Sequence, residues 1–170
     1  MEKLENYISL EKLKVVCNSI EEAHGLPNEC YLEGGYTKFE RKLLFEDKWV
    51  VIGVASNLKQ KGEAVPFNLL GIPLIILKDK NDKIRVFHNV CSHRGYKLLN
   101  EPCKIKNALR CPYHSWAYDL NGKLVSTPHI GGMDKNDADG FVKSRSDLIE
   151  VRSYVSVSYT HLRAHETQSD

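Results

Sequence analysis

Apolar residues first recur at a helical interval. Leu10, Leu13, Val16, Cys17 and Ile20 fall on one face of a helix over residues 9–24, with Ser9 placed to cap it and Gly25 and Pro27 to end it. Residues 37–45 set Phe39, Leu43 and Leu44 among charges and read as a second helical stretch. From Trp49 the texture becomes extended. Short apolar runs at 49–55, 64–70, 71–77 and 83–88 follow one another, with a polar turn at 79–82 between the last two. Residues 117–125 read as a hairpin whose Asn121-Gly122 pair suits a tight type I′ turn. Many short strands at close spacing predict a mostly β chain, an antiparallel β-sandwich, preceded by an N-terminal helical segment.

Composition changes this picture little. The 170 residues, 42% hydrophobic and 27% charged, suit a globular protein with its own core. The net charge of +2 comes from 24 basic and 22 acidic residues that are interspersed. No one-signed block marks a nucleic acid or an anionic membrane as partner. No apolar stretch reaches the length of a membrane span, and the N-terminus lacks the basic-then-apolar order of a secretory signal. A cytoplasmic, reducing setting is expected. Five cysteines, an odd number, then argue against a disulfide framework and leave thiols free to act as ligands. Residues 156–170 shift toward Ser, Thr and His, with no apolar period and no partner strand. They read as a non-native or disordered tail and resemble the in-frame translation of a sequencing adaptor. His161 and His165, spaced as on a helix, are set aside with it.

The candidate chemistry sits in two segments, Cys91-Ser92-His93-Arg94-Gly95 and Cys111-Pro112-Tyr113-His114-Ser115-Trp116, with 17 residues between His93 and Cys111. Each supplies one thiol and one imidazole. Two Cys and two His can hold a tetrahedral zinc ion. They can also hold a 2Fe-2S rhombus, with both cysteines on one iron and both histidines on the other. A single residue between Cys91 and His93 is tight for two ligands of one ion, and natural for ligands of two different irons.

These segments, continued by Ala117-Tyr118-Asp119, resemble the Rieske domain in the large (α) subunit of ring-hydroxylating oxygenases. The likeness runs from Leu26-Pro27, through the Phe39-Glu40 to Trp49 entry and the 127–132 loop, to residue 155. It implies a Rieske-type antiparallel β-sandwich with a small cluster-binding subdomain over 48–155, after a helical extension over 1–47. It implies a 2Fe-2S cofactor on Cys91, His93, Cys111 and His114, and no catalytic residue in this chain. Electrons would come from a ferredoxin or flavin reductase. They would leave for a mononuclear Fe(II) in a catalytic domain outside these residues, in a mono- or dioxygenase that forms homotrimers. A stand-alone Rieske ferredoxin is the alternative; the 48 residues ahead of the first strand favour the oxygenase subunit.

The resemblance also assigns neighbours. Arg94 and Gly95 would turn loop amides toward sulfide, or Arg94 would be a surface charge at a partner contact. Trp116 would limit water at the cluster, and Tyr118 would either reach a cysteine sulfur or simply pack. Pro112 would stiffen the second loop. Rieske proteins of respiratory and photosynthetic complexes carry two further cysteines and a serine where this chain has Tyr96, Tyr113 and Trp116. Fewer donors to the cluster imply a low potential. Of the other candidates, Cys103 is expected to be a buried thiol and Cys17 a core residue. Cys30 is unassigned, and His88 and His129 are not expected to be ligands.

Overall fold

The computed structural model describes residues 3–32, 34–46, 48–156 and the backbone of 159–163. The chain divides into two compact units, one running to Trp49 and one over Val50–Leu162.

The first unit is helical, but not as the apolar stripe suggests. Ser9 does cap a helix, its hydroxyl accepting from the Glu11 amide at 3.3 Å. That helix, α1, is only Leu10–Lys14 and passes into a 3-10 turn, Val15–Cys17, that ends at an extended Asn18. Residues 18–24 are not helical. No residue of the stripe is fully buried: Leu13 and Val16 are half-buried, Ile20 is 90% exposed, and Cys17, expected in the core, is exposed as well. A short helix with no packed face is marginal, and the β-branched Val15-Val16 pair followed by Asn18 and Ser19 weakens it further. The helix α2, Glu29–Leu32, buries Cys30. The second predicted stretch is α3, Gly34–Arg41, running on into a π-helical turn, Lys42–Glu46. Tyr7 and Phe39 meet with their rings tilted and 5.4 Å between centroids, and Lys12 pairs with Glu29.

The second unit is built on a five-stranded antiparallel sheet in the order β5-β2-β3-β4-β9, with β2 at Glu63–Leu69, β3 at Ile72–Lys78, β4 at Ile84–His88, β5 at Cys103–Lys104 and β9 at Glu150–Val151. The central strand β3 shows no alternation, since Leu74, Ile75, Ile76 and Leu77 are all buried. Both its faces are covered, as a sandwich requires. Ile75 pairs with Phe87 and Ile76 with Val86 across the β3–β4 ladder. On the Ile75 face a continuous core runs from Leu77 and Phe87 through Leu98, Leu99 and Tyr118 to Cys91 and Cys111. A smaller sheet, β6-β7-β8, comprises Leu109–Arg110, Ala117–Tyr118 and Leu124–Ser126.

A third sheet orders β1 (Trp49–Val54), β11 (Tyr159–Arg163) and β10 (Ser153–Ser156). Here the expectation that 156–170 has no partner strand is corrected: β10 pairs antiparallel with β11, Ser153 against Leu162 and Ser156 against Tyr159. His161 therefore lies in a strand and not on a helix. Residues 157, 158 and 164–170, including His165, lie outside the described residues.

The hairpin turn between β7 and β8 is also corrected. A type I′ turn needs positive φ at both central residues. Of the Asn121-Gly122 pair only Gly122 has it, at +79°. Instead the Asp119 carboxylate accepts from the Asn121 and Lys123 amides at 2.8 and 2.9 Å, and Gly122 donates to the Asp119 carbonyl at 3.0 Å. The β3–β4 turn repeats this construction. Asp79 accepts from the amides of Asn81 and Lys83 at 2.8 and 2.9 Å, and Asp82 takes the left-handed place with φ of 64°. The shared pattern, Asp-x-Asn-x-Lys, is an Asx turn in which the first carboxylate organises the loop.

Asp79 is 1% exposed and also accepts from Arg85 Nε at 2.9 Å, while Arg85 reaches Glu150 on β9 at 3.0 Å. Burial raises its pKa, but the Arg85 guanidinium and the Lys83 and Asn81 amides outweigh that and hold it below the ordinary value. A depressed carboxylate stabilises the fold above its unfolded pKa of about 3.9, and that contribution is lost as pH falls through the folded pKa. Asp79→Ala should lower stability by about 2–3 kcal/mol at pH 7, the scale of breaking a buried charge pair whose cation keeps another partner. The deficit should shrink toward pH 3. Urea unfolding of the two proteins at both pH values measures it, and an equal deficit at both would show that the ionised form is not what matters.

Candidate metal centre

The first key segment follows β4. The Asn89 amide donates to the Pro73 carbonyl at 2.8 Å, which anchors the chain just before Cys91. The loop closes by Cys91 N–H to Tyr96 O at 2.8 Å and Gly95 N–H to Cys91 O at 2.9 Å. The second segment is the loop of the β6–β7 hairpin, closed by Cys111 N–H to Trp116 O at 2.7 Å and Ser115 N–H to Cys111 O at 3.0 Å. The two loops thus share one backbone design. Each has a left-handed residue four after its cysteine, Gly95 at φ 66° and Ser115 at φ 62°. Glycine adopts that conformation freely, and serine bears a modest strain for it. The loops leave strands of two different sheets. The Gly95 amide is used on the Cys91 carbonyl, so it is not one of the amides turned toward the centre.

Four side chains converge as two pairs. Cys91 and Cys111, 2% and 1% exposed, are free thiols packed in the same core. His93 and His114, half-buried, meet edge to face with ring centroids 4.7 Å apart. Among the described residues no three or more His, Cys, Asp or Glu side chains are placed to hold one metal ion. Zinc needs four donors on one centre, so the geometry does not favour it. A thiol pair and a separate imidazole pair suit a two-iron rhombus. Burial, the facing His114 and Arg94 push the His93 pKa down, keeping the neutral ring that ligates. Burial pushes the Cys111 thiol up, as does Cys91 beside it, against the Tyr113 and His114 amides that donate to its sulfur. A bound cation reverses that balance in favour of thiolate.

The neighbours are equally specific. Trp116, 4% exposed, stacks on His93 at 4.6 Å with planes only 10° apart, and Phe141 meets its edge at 5.7 Å. Tyr118 is fully buried, with its hydroxyl 3.2 Å from Cys91 Sγ. Burial and the adjacent Cys91 push its phenol well above the ordinary value, so it keeps its proton. Arg94 is exposed. Tyr96 and Tyr113 bring their rings within 5.5 Å, so an aromatic pair bridges the loops at the two positions where the high-potential proteins carry cysteines.

The remaining candidates lie elsewhere. Cys103 is exposed on β5, not buried, because the edge strand leaves its side chain in solvent. Buried Cys30 belongs to α2. His129 Nδ1 accepts from the Asp134 amide at 3.0 Å, and His88 ends β4. Three residues carried no signal in the linear pattern. Ser92 bonds Tyr118, Phe141 covers Trp116, and Asn89 fastens the chain returning from the first loop. Asn89 sits two residues before a ligand candidate, yet only its long-range partners reveal its work.

The family model of the Rieske [2Fe-2S] domain matches residues 48–146. The chain belongs to the Rieske [2Fe-2S] domain family, and its cofactor is a 2Fe-2S cluster. It is 29% identical over 136 residues to a carnitine monooxygenase oxygenase subunit of Escherichia coli (strain K12), covering 80% of this chain and 35% of that protein. It is 30% identical over 125 residues to the biphenyl dioxygenase subunit alpha of Metapseudomonas furukawaii, covering 72% of this chain and 27% of the relative. A quaternary ammonium Rieske monooxygenase solved with L-carnitine superposes with a TM-score of 0.74 at 25% identity, covering 85% of this chain and 40% of the other. This chain is thus a Rieske domain of the oxygenase α-subunit type, mostly β as its pattern predicts. It spans about a third of the length of the curated relatives it matches. Among the described residues no helix is long and apolar enough to cross a membrane.

Proposed function

We propose that residues 48–155 are the electron-relay unit of a Rieske-type oxygenase, in which Cys91 and Cys111 hold one iron and His93 and His114 the other. The observation that carries this reading is the pairing itself: two loops of one backbone design present a buried thiol pair and a half-buried imidazole pair. The cluster supplies a site that gains and loses one electron. The protein does the rest. Buried thiols keep that end dry, and Trp116 on His93 excludes water from the flank. The half-buried imidazoles are the route by which electrons enter and leave, from a ferredoxin or flavin reductase and toward a mononuclear iron in a catalytic domain, across a homotrimer interface. Arg94, exposed beside His93, is a charge available to that contact.

Trp116 stands where the high-potential proteins place a hydroxyl, so the cluster has one donor fewer than theirs. The midpoint is therefore expected at the low end of the Rieske range of roughly −150 to +300 mV. The test is an EPR spectrum of the chain reconstituted with iron and sulfide and reduced with dithionite, followed by a redox titration. A rhombic signal of mixed Cys and His ligation is expected. The signal of an all-cysteine cluster, or a midpoint above about +100 mV, would sink the assignment.

A further inference from the structure

The Tyr118 hydroxyl stands among three partners. It lies 3.2 Å from Cys91 Sγ, 2.8 Å from Ser92 Oγ and 3.1 Å from the Ser92 amide nitrogen. The amide can only donate, so it fills a lone pair of the phenol oxygen. Ser92 Oγ is 2.5 Å from the carbonyl oxygen of Ser146, which can only accept. The single hydroxyl hydrogen of Ser92 is therefore directed at Ser146, and toward Tyr118 the serine can only accept. Tyr118 likewise has one hydroxyl hydrogen. With Cys91 as a thiolate, two acceptors contend for it: the nearer serine oxygen and the sulfur.

We propose that Ser92 is a positioning residue that lowers the cluster potential by competing with Cys91 for the Tyr118 hydroxyl hydrogen. The inference rests on the ligand reading above. In the oxidised protein the Tyr118 hydroxyl directs its hydrogen at Ser92 Oγ. Uptake of one electron from the donor would make the cluster and its sulfur ligands more negative, and Cys91 would then draw the hydrogen across. This movement is a rotation about the phenol C–O bond; no O–H bond breaks and no proton leaves. Giving up the serine partner opposes reduction. Ser146 takes part because its carbonyl holds the serine in the accepting orientation.

The order of midpoints is then set. Ser92→Ala leaves the sulfur as the only acceptor and raises the midpoint. Tyr118→Phe removes the donor and lowers it. Ser92→Thr keeps the hydroxyl and stays near the wild type. In the Tyr118→Phe background, Ser92→Ala has no further effect. The test is an EPR-monitored redox titration of the reconstituted 170-residue chain and these variants. At the wild-type midpoint the reduced-to-oxidised ratio of Ser92→Ala should rise about fivefold, equivalent to about 40 mV for one electron. An unchanged or lowered midpoint in Ser92→Ala, with the rhombic signal intact, overturns this inference alone. So does an equal rise in the Tyr118→Phe background, since the effect then does not run through the phenol. A wild-type chain without the rhombic signal overturns the cluster reading and this inference with it.

Discussion

Replacing Cys111 by serine is expected to abolish the cluster. Cys111 is 1% exposed, and its free thiol sits in the core beside that of Cys91. A serine hydroxyl is a poor iron ligand at neutral pH, and it puts an oxygen where the loop is shaped for a thiolate. Loss of an outer-shell partner of a metal ligand costs about 10–100-fold in affinity, and loss of the ligand itself should exceed that range. Iron and sulfide content and the rhombic EPR signal should fall to background in Cys111→Ser. They should be retained in Cys103→Ser, whose thiol is exposed on β5. The contrast separates ligation from general thiol loss. If Cys111→Ser keeps its cluster while circular dichroism shows an intact fold, Cys111 is not a ligand.

The largest effect on stability should come from Asn89→Leu. Asn89 is fully buried, and its Oδ1 accepts from the Leu98 and Leu99 amides at 3.0 and 2.8 Å. Its Nδ2 donates to the Leu99 carbonyl at 2.6 Å. Leucine has nearly the same shape and removes both functions, leaving two amides and a carbonyl buried without partners. Each unpaired buried group costs about 1–3 kcal/mol. Even with partial relaxation the sum should be about 3–5 kcal/mol, which for a chain of this size lowers the melting temperature by roughly 10 °C or more. The extra apolar burial returns only about 1 kcal/mol, so the polar loss wins. Because residues 97–99 lead directly out of the first loop, cluster retention should fall together with stability. Thermal unfolding followed at 222 nm checks the first claim and iron content the second. A melting temperature within 2 °C of the wild type would show that Asn89 does not act as the clasp.

How far the linear pattern carries depends on the range of the forces involved. The four ligand candidates are legible because each loop is a local object: a cysteine, a histidine two or three residues on, and a left-handed residue after four. The strands of the central sheet are legible for the same reason, since their apolar runs need no partner to be seen. The N-terminal helix is misread because a stripe such as Leu10 to Ile20 predicts burial only if something covers it, and Ile20 is 90% exposed. The Asn121-Gly122 turn is misread because the Asp119 carboxylate competes for the loop amides and changes the turn. Its twin at Asp79 could have been found by aligning the two Asp-x-Asn-x-Lys segments.

The order of residues alone thus determines that this chain is mostly β and offers two Cys–His loops of Rieske type, because those properties come from neighbours in sequence. It does not determine what the loops meet. Ser92 joins Ser146 across 54 positions and Tyr118 across 26, and the Trp116 ring stacks on His93 from the opposite loop. Those contacts exist only once two sheets pack over a shared core. Hydrogen-bond donors and ring faces act over a few ångströms in space, and separation along the chain says nothing about that distance.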